Sequence, residues 1–80
     1  MYFVYVLTNP GGKLYIGQTN NVTRRLYEHN HGHTVYTTKM KGPWTLIYQE
    51  SNFENRAAVM RREKELKTGK GREFLKKLRM

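Results

Sequence analysis

Cysteine and long apolar runs are absent from this sequence of 80 residues, and each absence excludes a class of protein. Without cysteine, no disulfide can cross-link the chain and no thiolate can bind zinc, which also fits a reducing, cytoplasmic location. No apolar run approaches the roughly 20 residues that span a membrane. The apolar stretch 2–7 is too short for a signal peptide and has no basic residue before it. We therefore expect a single domain over residues 1–80 with a small core.

Acidic residues are scarce, and aspartate is missing altogether. Six glutamates face fifteen Lys and Arg residues, so the formal net charge is +9. Such a charge attracts polyanions, of which nucleic acid is the favoured partner. An anionic membrane surface is less favoured, because no long amphipathic basic helix is present. A merely well-solvated surface is the remaining alternative.

A turn rich in Asn, Pro and Gly, residues 9–12, separates two runs of β-branched and aromatic residues. This pattern predicts a β-hairpin. The first run is apolar on both of its faces, which is typical of a central strand. The predicted strands comprise residues 2–8, 13–19 and 44–49.

Capping residues predict the helices. Asn20 and Asn21 are candidate N-caps of a helix that Gly32 ends, and Ser51 followed by Glu54 is the capping-box pattern of a second helix. The predicted order is β-β-α-β-α-α, an α/β (α+β) layer fold with a three-stranded sheet. The predicted helices are 22–30, a segment from the capping box to about Thr68, and 71–79, and an irregular basic loop is expected over 32–43.

The hairpin would bring two phenols, Tyr5 and Tyr15, close together. Tyrosine is a common strand residue, so packing alone explains either one. A phenol that only fills space is easily replaced by Phe, yet both strands carry Tyr. A functional role for the pair therefore remains open beside the packing role.

The first predicted helix presents a basic residue next to an imidazole. Val22, Leu26 and His29 share one helix face, and Arg25 flanks it. Arg25 and His29 are four residues apart, so their side chains are neighbours. An Arg at this place could bind a phosphate through its planar set of donors. Arg24 falls on the opposite face and is expected to be an ordinary surface charge.

Among the glutamates, the position of Glu63 demands a reason. On a helix at about 100° per residue, Val59, Met60 and Leu66 form an apolar stripe, and Glu63 falls within it. A carboxylate that faces the core is costly unless it is paired or binds a cation. A buried ion pair and a metal ligand are equally good explanations at this point. Glu65 points elsewhere and has basic neighbours at helical spacing.

The alternating histidines His29, His31 and His33 suggest a metal site, but the local structure argues against it. His31 and His33 lie on either side of Gly32, where the helix is expected to end, so their spacing specifies no ligand geometry. A polar loop is the favoured interpretation, because metal sites need ligands in fixed positions.

In their order and spacing, these residues resemble the GIY-YIG nuclease superfamily. The first signature element is Phe3-Val4-Tyr5, which keeps the tyrosine but not the glycine, and the second is Tyr15-Ile16-Gly17. Arg25 follows the second tyrosine by ten residues, and His29 follows four residues later, as in the family. Residues 62–67 match the glutamate-bearing pattern of small stand-alone members. Further matches to those members are Gly32, Tyr36-Thr37 and Pro43-Trp44.

The resemblance implies a largely antiparallel sheet flanked by helices and a metal-dependent hydrolysis of phosphodiester bonds in nucleic acid. It implies that Glu63 binds one divalent cation, Mg²⁺ or Mn²⁺, and that Arg25 neutralises charge on the phosphoryl oxygens. Tyr5 is the first choice for the base that takes a proton from the attacking water, with Tyr15 as its hydrogen-bonding partner. The free phenol has a pKa near 10, so nearby cations would have to lower it. His29 could orient the water or share its proton.

Binding to nucleic acid should use the loop 32–43 and the basic C-terminal helix. The small surface favours single strands, flaps or ends. Tyr36 and Trp44 could stack on an exposed base, although Trp44 opens a strand and is better explained as core. The residues expected to contact nucleic acid are Tyr36, Lys39, Lys41, Lys67, Lys70 and Arg72, with Lys76, Lys77 and Arg79 on the same terminal helix.

Three functions are consistent with the sequence. The leading hypothesis is a small cytoplasmic Mg²⁺-dependent endonuclease that acts on DNA. The alternatives are a non-catalytic nucleic-acid-binding module with the same fold and a basic RNA-associated protein. A pure binding module has no need for Glu63 on an apolar face near two tyrosines and Arg25, so the site residues separate the first function from the others.

Overall fold

The computed structural model describes residues 1–31 and 42–78, and within them it contains three strands and three helices. Their order is β-β-α-β-α-α, as the sequence predicts. None of the helices in these two ranges is long and apolar enough to cross a membrane. The elements are β1 (Phe3–Thr8), β2 (Leu14–Thr19), α1 (Val22–Asn30), β3 (Thr45–Glu50), α2 (Arg56–Leu66) and α3 (Gly69–Leu78).

The three strands form one antiparallel sheet in the order β2-β1-β3, so the expectation of a central first strand is confirmed. In the pairing of β1 with β2, Tyr5 lies opposite Gly17 and Leu7 opposite Tyr15. Because side chains alternate along a strand, Tyr5, Tyr15 and Gly17 share one face of the sheet. The register therefore places both signature tyrosines on the same side.

The β1–β2 turn is closed by Asn9. Its backbone carbonyl accepts a hydrogen bond from the N–H of Gly12 at 3.0 Å, and its side-chain oxygen accepts one from the N–H of Lys13 at 2.9 Å. Gly12 has a φ of 82°, a left-handed conformation that glycine adopts without strain. The predicted turn residues thus fix the position at which β2 begins.

Each face of the sheet carries its own apolar cluster, because β1 is buried on both sides. Val4 and Val6 pack with residues of the α2 and α3 helices, while Tyr5 and Leu7 pack toward α1 and Trp44. The two clusters contain Val4, Val6, Val59, Leu66 and Leu75 on one face, and Tyr5, Leu7 and Trp44 on the other.

Helix α1 has the predicted bounds, and Asn21 is its N-cap, with its side chain accepting from the N–H of Arg24 at 3.0 Å. The prediction that a capping box at Ser51 and Glu54 begins the second helix is wrong. Asn52 has a φ of 69°, which does not continue into a helix, and Asn55 instead caps α2. Local competition among several good capping residues explains the error, since each can accept a backbone N–H.

The junction between the last two helices also differs from the prediction. Helix α2 ends at Leu66 rather than near Thr68, and α3 begins at Gly69 rather than at residue 71. A Cβ at Gly71 would lie 2.3 Å from the backbone oxygen of Glu65. Gly71 therefore allows α3 to approach the end of α2 closely. This packing determines the direction in which the basic face of α3 points.

Trp44 precedes β3 and is 3% exposed, which confirms its expected place in the core. Its backbone N–H donates to the side-chain oxygen of Asn30, and its carbonyl accepts from the side-chain nitrogen of Asn30 at 3.0 Å. The end of α1 is thereby joined to the start of β3, over the face that carries Tyr5.

Candidate active site

The two signature tyrosines and His29 form one aromatic cluster on the α1 side of the sheet. Tyr5 is almost completely buried on the central strand, and its hydroxyl oxygen is 2.9 Å from Nε2 of His29. The centre of the Tyr15 ring is 6.0 Å from that of Tyr5 and 4.5 Å from that of His29. Val22 and Leu26 pack on the same apolar cluster and so direct the His29 face of α1 toward the sheet.

Gly17 makes room for this cluster. A Cβ at this position would lie 2.7 Å from the Tyr5 hydroxyl oxygen and 3.0 Å from Cε1 of Tyr15. Real Cβ atoms essentially never lie within 3.0 Å of another heavy atom, so a larger residue at this position would displace the Tyr5 phenol. The glycine of the second signature element is therefore required by the position of the first tyrosine.

Arg25 lies beside the cluster, on the same helix as His29. Its guanidinium donates to the carboxylate of Glu28 at 3.0 Å. Partial burial lowers the pKa of Arg25, but the hydrogen bond to Glu28 and the proximity of the Tyr5 phenol more than offset this and raise it above its usual value. The cation is thus permanent and lies next to the Tyr5 hydroxyl. Arg24 is exposed, as predicted.

The surroundings determine the protonation of Tyr5 and His29. Burial raises the pKa of Tyr5 above its ordinary value, and proximity to Tyr15 raises it further, while Arg25 lowers it without reversing the shift. Burial and the charge of Arg25 both lower the pKa of His29. Tyr5 is therefore a protonated phenol at neutral pH and His29 a neutral imidazole, and the two share the hydrogen bond between the Tyr5 hydroxyl and Nε2 of His29. A stable phenolate at Tyr5 would need a lowered pKa, and its environment produces the opposite.

An open cleft of about 730 Å³ follows the β2 edge of the sheet. Tyr15 lines it from β2, and Glu63 lines it from α2, so Tyr15 belongs both to the aromatic cluster and to the cleft. Glu63 is the acidic side chain among the described residues that line it. One wall is formed by residues 12–16 of the hairpin, and the other by Glu63, Lys67, Arg72 and Lys76.

The predicted surroundings of Glu63 need correction. Val59 and Leu66 are buried as expected, but Met60 is 43% exposed, so the apolar stripe is narrower than predicted. The Glu63 side chain lies at its margin, is 23% exposed, and accepts a hydrogen bond from Nζ of Lys67 at 3.1 Å. The carboxylate faces the cleft. The turn of α2 that carries it lies beside the β2 edge of the sheet, and the cleft on that side is open to water. The carboxylate is therefore paired at the surface and not within the core.

The residues predicted to contact nucleic acid fall into three groups. Lys67 and Arg72 line the cleft with Glu63, whereas Lys70 lines a different, smaller depression beside Phe74. Sequence reasoning missed Lys13 as a cleft residue, although its place directly after the hairpin turn is the signal that could have found it. Tyr36, Lys39, Lys41 and Arg79 lie outside the described residues, as does His33.

The orientation of α2 is set by Arg62, the residue before Glu63. Its guanidinium makes three hydrogen bonds, of 2.8 to 3.1 Å, to both carboxylate oxygens of Glu50 on β3. The same carboxylate accepts a hydrogen bond from Tyr48, and the guanidinium carbon is 5.7 Å from the ring centre of Phe74. This bidentate pairing fixes the rotation of α2 against the sheet, and with it the direction of Glu63.

Comparison of the sequence with known families shows that the chain belongs to the GIY-YIG catalytic domain family, which it matches over residues 1–78. Within that family it is similar to UPF0213 proteins. A relative from Staphylococcus haemolyticus is 39% identical over 75 residues, which cover 94% of this chain and 90% of the relative. Another, from Staphylococcus saprophyticus, is 33% identical over 67 residues, covering 84% of this chain and 80% of the relative.

A solved structure resembles the whole described fold. The solution NMR structure of a UPF0213 protein from Bacillus halodurans has a TM-score of 0.57 and 32% sequence identity, and the alignment covers 98% of this chain and 85% of that one. The resemblance to GIY-YIG nucleases is therefore confirmed for family and fold. The family implies an endonuclease-type hydrolase with a nucleic-acid substrate.

Proposed function

We propose that this protein is a divalent-metal-dependent endonuclease that hydrolyses phosphodiester bonds in DNA. The observation that carries the proposal is the convergence of Tyr5, Tyr15, Arg25 and His29, from three elements, beside a basic cleft that contains Glu63. A domain that only bound polyanions would need the basic cleft but not the buried phenol–imidazole pair.

The residues of the cleft fit Mg²⁺ or Mn²⁺. Glu63 offers a hard oxygen ligand that is partly open to water, and no cluster of three or more His, Cys, Asp or Glu occurs in the described parts of the chain. One carboxylate suffices for Mg²⁺, which keeps several waters and commonly completes its shell with substrate phosphates. Bound at Glu63, such a cation would supply Lewis-acid polarisation of the scissile phosphate and stabilise the leaving oxygen.

Tyr5 and His29 act together as the proton acceptor in this proposal. The Tyr5 oxygen takes a proton from the attacking water while the Tyr5 hydroxyl proton passes along the existing 2.9 Å hydrogen bond to Nε2 of His29. No free phenolate is needed, which agrees with the raised pKa of Tyr5, and the lowered pKa of His29 keeps the imidazole neutral and able to accept. His29 ends as an imidazolium. The water oxygen bonds to phosphorus as the P–O bond to the leaving oxygen breaks, and the leaving oxygen takes a proton from solvent.

Arg25 and Tyr15 complete the site. The permanent charge of Arg25 next to Tyr5 would stabilise negative charge on the phosphoryl oxygens. Tyr15, which lines the cleft and touches the His29 ring, would orient the water between the cluster and Glu63. Both roles depend on the shared sheet face that the β1–β2 register imposes.

The competing function is a non-catalytic nucleic-acid-binding module. The observation in its favour is the ion pair between Glu63 and Lys67, which already neutralises the carboxylate. A binding module of this kind would have the same basic cleft and the same affinity for polyanions.

Cleavage assays separate the two functions. The purified protein is incubated with labelled single-stranded, double-stranded and branched DNA in Mg²⁺ or Mn²⁺ and, separately, in EDTA. We expect cleavage that requires the cation, is lost in Glu63→Gln, and falls by about 10²- to 10⁴-fold in Tyr5→Phe and in His29→Ala.

Glu73→Gln is the matched control, because Glu73 is an exposed carboxylate on α3 that does not line the cleft and makes no ion pair within the described residues. It should leave cleavage unchanged. Binding of DNA without cleavage of any of the three substrates would overturn the enzyme proposal in favour of the binding module.

A further inference from the structure

We propose that Lys13, Arg72 and Lys76 form a subsite for phosphates of the nucleic-acid backbone that flank the bond to be cleaved. The inference rests on the proposed function, since it concerns a second part of the same cleft. It goes further by selecting three cations from the fifteen in the chain and by placing them on two opposed walls.

The hairpin wall carries Lys13 in a defined position. Its backbone N–H donates to the side chain of Asn9, and its carbonyl accepts from the N–H of Asn9 at 3.2 Å, so both backbone groups of Lys13 are bonded across the turn. Gly12 supplies the left-handed residue just before it. Lys13 therefore extends from a well-bonded backbone into the cleft.

The opposite wall carries Arg72 and Lys76 on α3. They are four residues apart and lie on one face of the helix. The close approach at Gly71 holds that face toward the cleft, because any side chain there would meet the backbone of Glu65 and Leu66. Lys77 is one position further and is not part of the cleft lining.

The charges of these three side chains are not compensated by protein acids. In the described ranges no ion pair involves Lys13, Arg72 or Lys76. The acid in the cleft, Glu63, is already paired with Lys67. Like charges that converge in a concave surface focus a positive potential there, and a polyanion relieves the repulsion between them.

The test measures binding without cleavage. In a Glu63→Gln background with EDTA, the affinity for a fluorescein-labelled DNA oligonucleotide, single-stranded and duplex, is measured by anisotropy at several salt concentrations. The variant Lys13→Met/Lys76→Met should bind more weakly. Its slope of log affinity against log salt should be smaller in magnitude by about 0.7 to 0.9 for each phosphate that the variant no longer neutralises.

The matched control is Lys64→Met/Lys77→Met, which removes the same charge from exposed lysines on α2 and α3 outside the cleft. It should retain the slope of the background protein. Lys13→Arg/Lys76→Arg should restore binding, and thermal unfolding confirms that each variant folds.

The outcomes distinguish this subsite from the proposed function. Equally reduced slopes in the cleft and control variants would overturn the subsite while leaving nucleic-acid binding in place. A background protein that bound neither oligonucleotide at any salt concentration would overturn both proposals. A slope that falls selectively in Lys13→Met/Lys76→Met would support the subsite whether or not the protein cleaves DNA.

Discussion

At the residue scale, the candidate site depends on the close packing of the Tyr5 and Tyr15 phenols with the His29 imidazole. The absence of a side chain at Gly17 makes this packing possible. Tyr5 on the central strand lies over Gly17 of the neighbouring strand, and its hydroxyl reaches His29 on α1. Each of the three residues constrains the other two. A change at one of them therefore acts on the hydrogen bond between Tyr5 and His29, to which we assign the role of proton acceptor.

We predict that Gly17→Ala disrupts the site, because the new Cβ would meet the Tyr5 hydroxyl oxygen at 2.7 Å. Overpacking of this kind costs about 1–3 kcal/mol of the free energy of unfolding, which urea denaturation measures. DNA cleavage should be abolished together with the fall in stability.

The control for this change is Gly69→Ala, since nothing lies within 4 Å of a Cβ at that position. Gly69 is also within α3, where Ala is the better helix former, so this variant should be as stable as the parent or slightly more stable. Equal stability of Gly17→Ala and Gly69→Ala would contradict the close packing of Tyr5 on Gly17.

The protonation of His29 predicts how stability depends on pH. Its pKa in the folded protein lies below the ordinary value of 6.5, so the unfolded chain binds a proton more readily. Stability should therefore be fully present above that value and should decline as the pH falls through it toward the folded pKa. Denaturant unfolding at a series of pH values measures this decline.

His29→Gln should reduce that decline, whereas His31→Gln should not, because His31 is exposed at the end of α1. Cleavage by the parent should decline over the same acidic range, since a protonated His29 cannot accept a proton from Tyr5. A parent whose stability is independent of pH in this range would show that His29 is not buried in its neutral form.

At the element scale, α2 matters because it carries Glu63 to the β2 edge. The helix has few buried residues of its own, Val59 and Leu66, so its rotation is not determined by apolar packing alone. Arg62 supplies the missing constraint through its hydrogen bonds to Glu50. The direction of Glu63 is in this way coupled to a strand on the far edge of the sheet.

Arg62→Met should lower the free energy of unfolding by about 1–3 kcal/mol, because it leaves the partly buried Glu50 carboxylate without its cationic partner. It should also weaken Mn²⁺ binding at Glu63, which isothermal titration calorimetry measures. Arg61→Met is the control, since Arg61 is exposed on the same helix and has no ion pair within the described ranges. Similar effects of the two substitutions would show that Arg62 does not orient α2.

At the scale of the whole molecule, the two faces of the sheet differ in the residues that pack on them. The face that packs on α2 and α3 contains an aliphatic core, and the face that packs on α1 contains the aromatic cluster. The cleft lies where both faces meet at the β2 edge, and this is why Tyr15 from one face and Glu63 from the other line the same space.

The sequence predicted the elements and their order well, because turn residues and apolar patterns are local. The bounds of α1 and the central position of β1 were correct, and so were Asn21 as a cap and Trp44 as core. The predicted start of α2 was wrong. Ser51 and Asn55 are both good N-cap residues, and the left-handed backbone at Asn52 prevents a helix from beginning at Ser51.

The sequence by itself determined the family, the central place of β1 and the candidate site residues, because motif spacing and hydrophobic period are encoded along the chain. Only the tertiary structure decided which groups meet. It pairs Tyr5 with His29, and burial raises the pKa of that phenol. It also places Glu63 at the surface in an ion pair with Lys67, and it puts Lys76 in the lining of the cleft but not Lys77. These outcomes depend on burial and on contacts between residues that are distant in the chain, and no local pattern specifies either.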